Sequence, residues 1–268
     1  LWTFRTGSVG HSLVTGVAIQ HQPLSTVRAT ADVPDITDIF APVIPETSID
    51  QLTFGCDAQH SCDDDELSAT YAGVYATDQL DLTSRWKLRL AIRQDWWHTA
   101  LTPNIFVPGR LQTDGQPFAP GVTVSRNDAP VSWNVGTLYH IAPGVSPFAG
   151  VSRSHLANFN SEATQNGIEP PESAIQYEGG VKLAPFGDRV SLTASLFQVK
   201  RENVFTEVGT TVFFNDQKTR GGELDATVRA TSRWNILANF TSQSAELTKN
   251  LSQPAATGKQ PVGVPSHI

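Results

Sequence analysis

Methionine is absent, cysteine occurs only twice, and no apolar run approaches the ~20 residues that a membrane-spanning helix requires. The last absence excludes a helical membrane protein. It leaves a membrane β-barrel open, because barrel strands carry apolar residues only at alternate positions and average out as hydrophilic. An excess of positive charge is missing as well. The net charge of −7 argues against nucleic acid as a partner. With no methionine and Leu1 as the first residue, the chain is expected to begin inside a longer or processed product, without a signal peptide. Cys56 and Cys62 lie close together in a polar stretch. A local disulfide formed in an oxidising compartment is the simplest reading, and a pair of unrelated free thiols is its rival. A zinc site would need two further ligands, and only His60 is near.

Catalytic signatures are also lacking. Gly258-Lys259 is followed by Gln260 and has no upstream glycine spacing, so it is not a P-loop. Neither a nucleophile elbow nor a His-Glu-x-x-His pair occurs. The expectation is therefore a protein that is not an enzyme, with no catalytic, cofactor-binding or metal-ligating residues to assign. Asp63 to Asp65 match no calcium-loop spacing and are expected at a solvated loop tip. Asn239 and Asn250 open glycosylation-like triplets that chance alone supplies.

What the chain does have is alternation. The tetrapeptide Thr-Ser-Arg-Trp occurs at 83–86 and again at 231–234, each time ahead of an alternating run. Trp86, Leu88, Leu90, Ile92 and Trp96 share one parity, and Lys87, Arg89, Arg93 and Asp95 share the other. Trp234, Ile236, Ala238 and Phe240 likewise alternate with Asn235, Asn239, Thr241 and Gln243. Period two means β-strand, with one apolar and one polar face. A tilted strand from Trp86 to Trp96 would climb roughly 25 Å, the height of the apolar band of a membrane barrel, with an aromatic ring at each rim.

The same pattern recurs along the chain. Val131 to Ile141, Tyr177 to Leu183, Val190 to Leu196 and Leu224 to Ala230 each oppose a polar set. Short turns rich in Gly, Pro, Ser and Asp are expected near 6–10, 83–85, 142–146, 185–189 and 231–233. Longer connections are expected around 22–66, 99–129, 158–174, 202–215 and 247–262. Short and long connections alternate strictly, so all the short ones fall at one end of the sheet. Outer-membrane barrels have that asymmetry. A soluble propeller is the main competitor, but its blades carry four short strands rather than two long ones. The expected fold is thus all-β, an antiparallel up-and-down transmembrane barrel.

Several runs resemble TonB-dependent siderophore receptors. GVYATDQLDLTSRWKLRLAIRQD at 73–95 is similar to a strand pair of that family, and SPFAGVSRS at 146–154 to its Ser-Pro-Tyr strand start. IQYEGGVK at 175–182, SLTASLFQVKRENV at 191–204 and GGELDATVRATSRWNILANFT at 221–241 resemble the strands that follow, in the family's order. DIFAPV at 38–43 and VPSH at 264–267 resemble an outer-loop segment and a later strand start. The resemblance implies one domain over 1–268, about ten strands of a 22-stranded barrel, with the plug domain absent and the chain a fragment or truncated reading frame.

The resemblance also implies a function. It is uptake of a ferric siderophore across the outer membrane of a Gram-negative bacterium, energised by the TonB–ExbB–ExbD complex acting through the missing plug. Outer-membrane lipid is a further implied partner. No iron ligand is expected from the protein, since the siderophore fills the coordination of the metal. Candidate substrate contacts are Trp97, inward by parity, His98 near the outer end of the same strand, and the inward Arg89 and Arg93. The alternative is a passive outer-membrane channel or another surface barrel without a plug.

Overall fold

Apolar residues at every second position, interrupted by short turn sequences, build a single antiparallel sheet. The computed structural model describes residues 1–32, 48–55, 62–106, 119–158, 168, 170–208, 211–250, 253–261 and 263–265. The strands are β1 (Trp2–Thr6), β2 (Val9–Ala29), β3 (Cys62–Asp81), β4 (Trp86–Pro103), β5 (Val124–Asp128), β6 (Val131–Tyr139), β7 (Val145–Leu156), β8 (Glu172–Leu183), β9 (Val190–Val208), β10 (Thr211–Arg229) and β11 (Asn235–Asn250). They pair in chain order, except that β5 is a short strand laid on the outer half of β4, beyond the reach of β6. This is the up-and-down order that the alternating connections predict. Among the described residues β1 and β11 do not pair with each other, so the wall is a partial barrel.

The repeated tetrapeptide has a local cause. The Thr83 hydroxyl oxygen accepts hydrogen bonds from the backbone N–H groups of Arg85 (3.2 Å) and Trp86 (3.0 Å). The Thr231 hydroxyl does the same for Arg233 (3.2 Å) and Trp234 (3.1 Å). Each threonine thus folds its turn by a side-chain-to-backbone bond, and the tryptophan that follows opens or borders the next strand. At a third short turn, Gly144 takes φ +73°, and a Cβ there would overlap the Ala184 carbonyl, so the position admits only glycine.

The apolar parity is bare. Ile19 and Leu196 are 80% and 73% exposed, in company with Trp86, Trp96, Trp234 and Phe240. A wall that buried this face in its own core would hide these side chains; here they form the outer surface. The small buried apolar cluster lies elsewhere, at the outer ends of β3 and β4, where Leu67 and Leu101 pack under Val124 and Ile168.

Two expectations need correction. The long connections at 22–66 and 202–215 are much shorter, because β2 runs on to Ala29, β3 starts at Cys62, and β9 and β10 continue to Val208 and Thr211. The Val- and Phe-rich run there prolongs the ladder, with Phe205 set edge-on to Phe214 at 6.2 Å. Asp63 to Asp65 are not at a loop tip. They begin β3, Asp63 pairs with Arg28 at 2.5 Å, and Asp65 is fully buried. The eleven strands among the described residues agree with the expected count of about ten, ten lying on the continuous path and β5 beside it. Of the two cysteines, Cys62 is buried and no free thiol occurs among the described residues. Cys56 lies outside them.

Candidate functional site

The polar face of β2, β3, β4 and β6 holds a group of interacting side chains. Register brings them together: Gln20 pairs with Tyr71, Tyr71 with Trp97, Gly73 with Asp95, and Tyr75 with Arg93, which in turn pairs with Ser132. These residues share the inward parity, and the side chains of Gln20, Tyr71, Arg93, Asp95, Trp97 and Ser132 converge on one hollow of about 460 Å³.

Two glycines make room for them. Gly16 lies under the ring of Tyr75, and a Cβ there would overlap it. Gly73 lies under the Arg93–Asp95 pair, where a Cβ would meet Asp95 Oδ1 and stand 2.6 Å from Arg93 Nη2. In both places a missing side chain lets a large neighbour lie flat on the sheet.

Arg93 and Asp95 sit two residues apart on one strand and form a bidentate pair. Arg93 Nε donates to Oδ1 (2.8 Å) and Oδ2 (2.7 Å), and Nη2 donates to Oδ1 (2.6 Å). The Arg93 guanidinium also lies 5.9 Å from the Tyr75 ring centroid. Above this pair Tyr71 and Trp97 meet edge to face, their centroids 5.8 Å apart. His155 closes the far side, its Nδ1 3.3 Å from Ser132 Oγ. The hollow therefore offers aromatic edges, amides from Gln20 and Gln22, and an ion pair whose charges cancel. It can bind by stacking and by many directed hydrogen bonds. Strong attraction for a bare anion is not built in, since the guanidinium already holds a carboxylate.

Of the candidate contacts, the structure brings Trp97 and Arg93 into this hollow. Arg89 lies deeper, in a second hollow of about 490 Å³ with Lys87, Glu178 and Lys182. His98 stands apart. It is exposed, shares the outward parity of Trp96, and its Nδ1 is 2.8 Å from Asn127 Oδ1 on β5. Tyr71, Asp95 and His155 join the hollow without having been singled out from the sequence. Parity alone marks Tyr71 and Asp95 as inward, but placing Tyr71 on Trp97 needs the β3–β4 register.

Comparison with known proteins places the chain in context. The family model described as "TonB dependent receptor-like, beta-barrel" matches residues 2–268. The chain is 24% identical over 274 residues to the metal-pseudopaline receptor CntO of Pseudomonas aeruginosa, covering 100% of this chain and 36% of that protein. It is 26% identical over 194 residues to the probable TonB-dependent siderophore receptor PiuA of Acinetobacter baumannii, covering 70% of this chain and 25% of that one. The crystal structure of the closed form of the ferric-catecholate import receptor Fiu from Escherichia coli K12 superposes with a TM-score of 0.73 at 23% identity, covering 99% of this chain and 39% of that one. The chain thus spans roughly a third of the length of the curated relatives it matches.

Proposed function

Because the chain belongs to the TonB dependent receptor-like β-barrel family, we propose that residues 1–268 form part of the barrel wall of a receptor that takes up a ferric siderophore. The receptor sits in the outer membrane of a Gram-negative bacterium. Its energy comes from the TonB–ExbB–ExbD complex, acting through a plug segment that is not part of this chain. The observation that carries this reading is the family match along nearly the whole chain, joined to a wall with a bare apolar face and a polar hollow. The relatives named for metal-pseudopaline, catecholate and ferrichrome handling are all receptors or transporters of metal chelates.

In this reading the chelate arrives with its metal fully coordinated, so the wall supplies recognition and no metal ligand. Trp97 and Tyr71 offer aromatic surface, while Gln20, Gln22 and the Arg93–Asp95 pair offer hydrogen bonds to oxygen-rich edges of the chelate. Arg89 lies on the route further in, and His98 would touch cargo only from the outer rim beside β5. A Cys56–Cys62 disulfide would close a loop ahead of β3.

The test is growth of iron-starved cells that depend on the complete receptor carrying this chain, supplied with defined hydroxamate or catecholate siderophores. Growth on one ferric siderophore that vanishes in a TonB-deficient host supports the proposal. Uptake that persists without TonB favours a passive channel instead.

A further inference from the structure

One imidazole, that of His155, lines the hollow beside Trp97. The β6–β7 ladder ends at the Trp133–Arg153 pair, so His155 lies two residues beyond it, where β8 alone still pairs with β7. No β6 neighbour holds the ring on the face that carries Arg153. It turns instead to the inward Ser132, its Nδ1 3.3 Å from Ser132 Oγ. There it is half-buried and shares the hollow with Tyr71, Trp97, Arg93 and Asp95.

Charge gives this position its weight. Arg93 and Asp95 hold each other and cancel, and the remaining side chains lining the hollow are uncharged. Carboxylates and guanidiniums keep their charge between pH 5 and 8, whereas an imidazole gains or loses one there. His155 is therefore the group that sets the net charge of the hollow. Its charged surroundings come from several strands. Arg153 on its own strand repels a proton on the ring, and Asp95 on β4 attracts it. On β8, Ser173 stands opposite His155, and the adjacent Glu172 is held by Arg201 of β9 at 2.6 Å. Tyr71 of β3 and Ser132 of β6 are neutral. Both carboxylates already hold a guanidinium, so a proton taken up by His155 leaves the hollow positive.

We infer that His155 is a specificity-determining residue: its protonation decides whether the hollow favours anionic chelates over neutral ones. As free imidazole it leaves the hollow without net charge, and cargo is selected by stacking and hydrogen bonding. As imidazolium it adds a cation beside Trp97, and anionic cargo binds more tightly as the pH falls. A unit charge at ~6 Å in a water-filled hollow changes the affinity for an anion by roughly threefold, less at high salt. The inference rests on the reading of this hollow as a chelate contact.

The experiment compares quenching of tryptophan fluorescence by iodide, an anion, and by acrylamide, a neutral molecule. It uses the complete receptor carrying this chain, in dodecyl maltoside at constant ionic strength. Wild type is expected to show an iodide-to-acrylamide quenching ratio that rises about twofold from pH 8.0 to pH 5.5. His155→Gln should give a flat ratio at the lower level, and His155→Lys a flat ratio at the higher one. The difference between wild type and His155→Gln isolates the imidazole without a tryptophan variant. Repeating it in a Trp97→Phe background should abolish the difference, which assigns the signal to the hollow. A flat wild-type ratio, an undiminished rise in His155→Gln, or a difference that survives Trp97→Phe overturns the inference. Growth on a ferric siderophore separates it from the reading beneath it. A receptor with a flat ratio that still supports TonB-dependent growth sinks this inference alone. A receptor whose ratio rises but which supports no such growth keeps His155 as the control of anion entry and sinks the siderophore reading.

Discussion

Arg93 and Asp95, two residues apart on β4, hold each other through a bidentate pair that leaves the polar hollow beside Trp97 without net charge. The Asp95 side chain is 5% exposed and that of Arg93 is 37% exposed, so the carboxylate is the buried partner and the guanidinium the one still in reach of cargo. The pair determines what the hollow attracts.

Replacing Asp95 with Asn removes the charge partner while keeping the shape. Stability is expected to fall by about 1–3 kcal/mol, less than for a fully buried pair because Arg93 remains partly solvated. The urea midpoint of the folded chain in micelles measures this. In the complete receptor, affinity for an anionic chelate should rise as the guanidinium is released; unchanged affinity would show that Arg93 does not face cargo.

Gly73→Ala places a methyl group against Asp95 Oδ1 and Arg93 Nη2. The pair must shift or the strands must part, at an expected cost of about 1–3 kcal/mol. Gly136→Ala, whose added Cβ would meet nothing closer than 3.8 Å, is the control and should be tolerated far better in the same urea titration.

Thr83→Val and Thr231→Val each delete a hydroxyl that accepts two backbone N–H groups at a short turn. Each should lower stability by roughly 0.5–1.5 kcal/mol, and the double variant by about the sum because the turns share no partner. An effect below a few tenths in both would mean that flanking strand pairing alone shapes the turns.

Trp97→Ala and His98→Ala are neighbours in sequence but should differ in effect. Trp97 lines the hollow and meets Tyr71, so its loss is expected to weaken chelate binding by about tenfold or more. His98 points the other way and bonds Asn127, so its loss should leave affinity within about twofold. Equilibrium binding of a labelled ferric siderophore to the complete receptor distinguishes them, and equal losses would remove the hollow from consideration as a contact site.

Much of the wall is legible in the alternation. Trp86, Leu90, Ile92 and Trp96 declare an outward face because a strand turns every second side chain the same way, and the structure leaves all four exposed. The two Thr-Ser-Arg-Trp turns are legible for a local reason, a hydroxyl within reach of its own backbone. The prolonged β9–β10 hairpin was less so: Gly209 and the polar residues near it resemble a loop until the Phe205–Phe214 contact across the ladder is seen. Asp65 was misplaced for the same reason, since three consecutive acids look solvated until Arg28 and the strands that bury them are in position.

By itself, then, the sequence determined the strand periodicity, the two chemically distinct faces and the short turns at one end, because each depends on residues within a few positions of one another. Only the tertiary structure decided register. That choice set Tyr71 on Trp97 and Lys200 opposite Lys218, and it laid β5 over the outer end of β4. Register is a property of ladders between segments far apart in the chain. A strand's own period is the same in every even-numbered shift, so the pairing partner is not written in either strand alone.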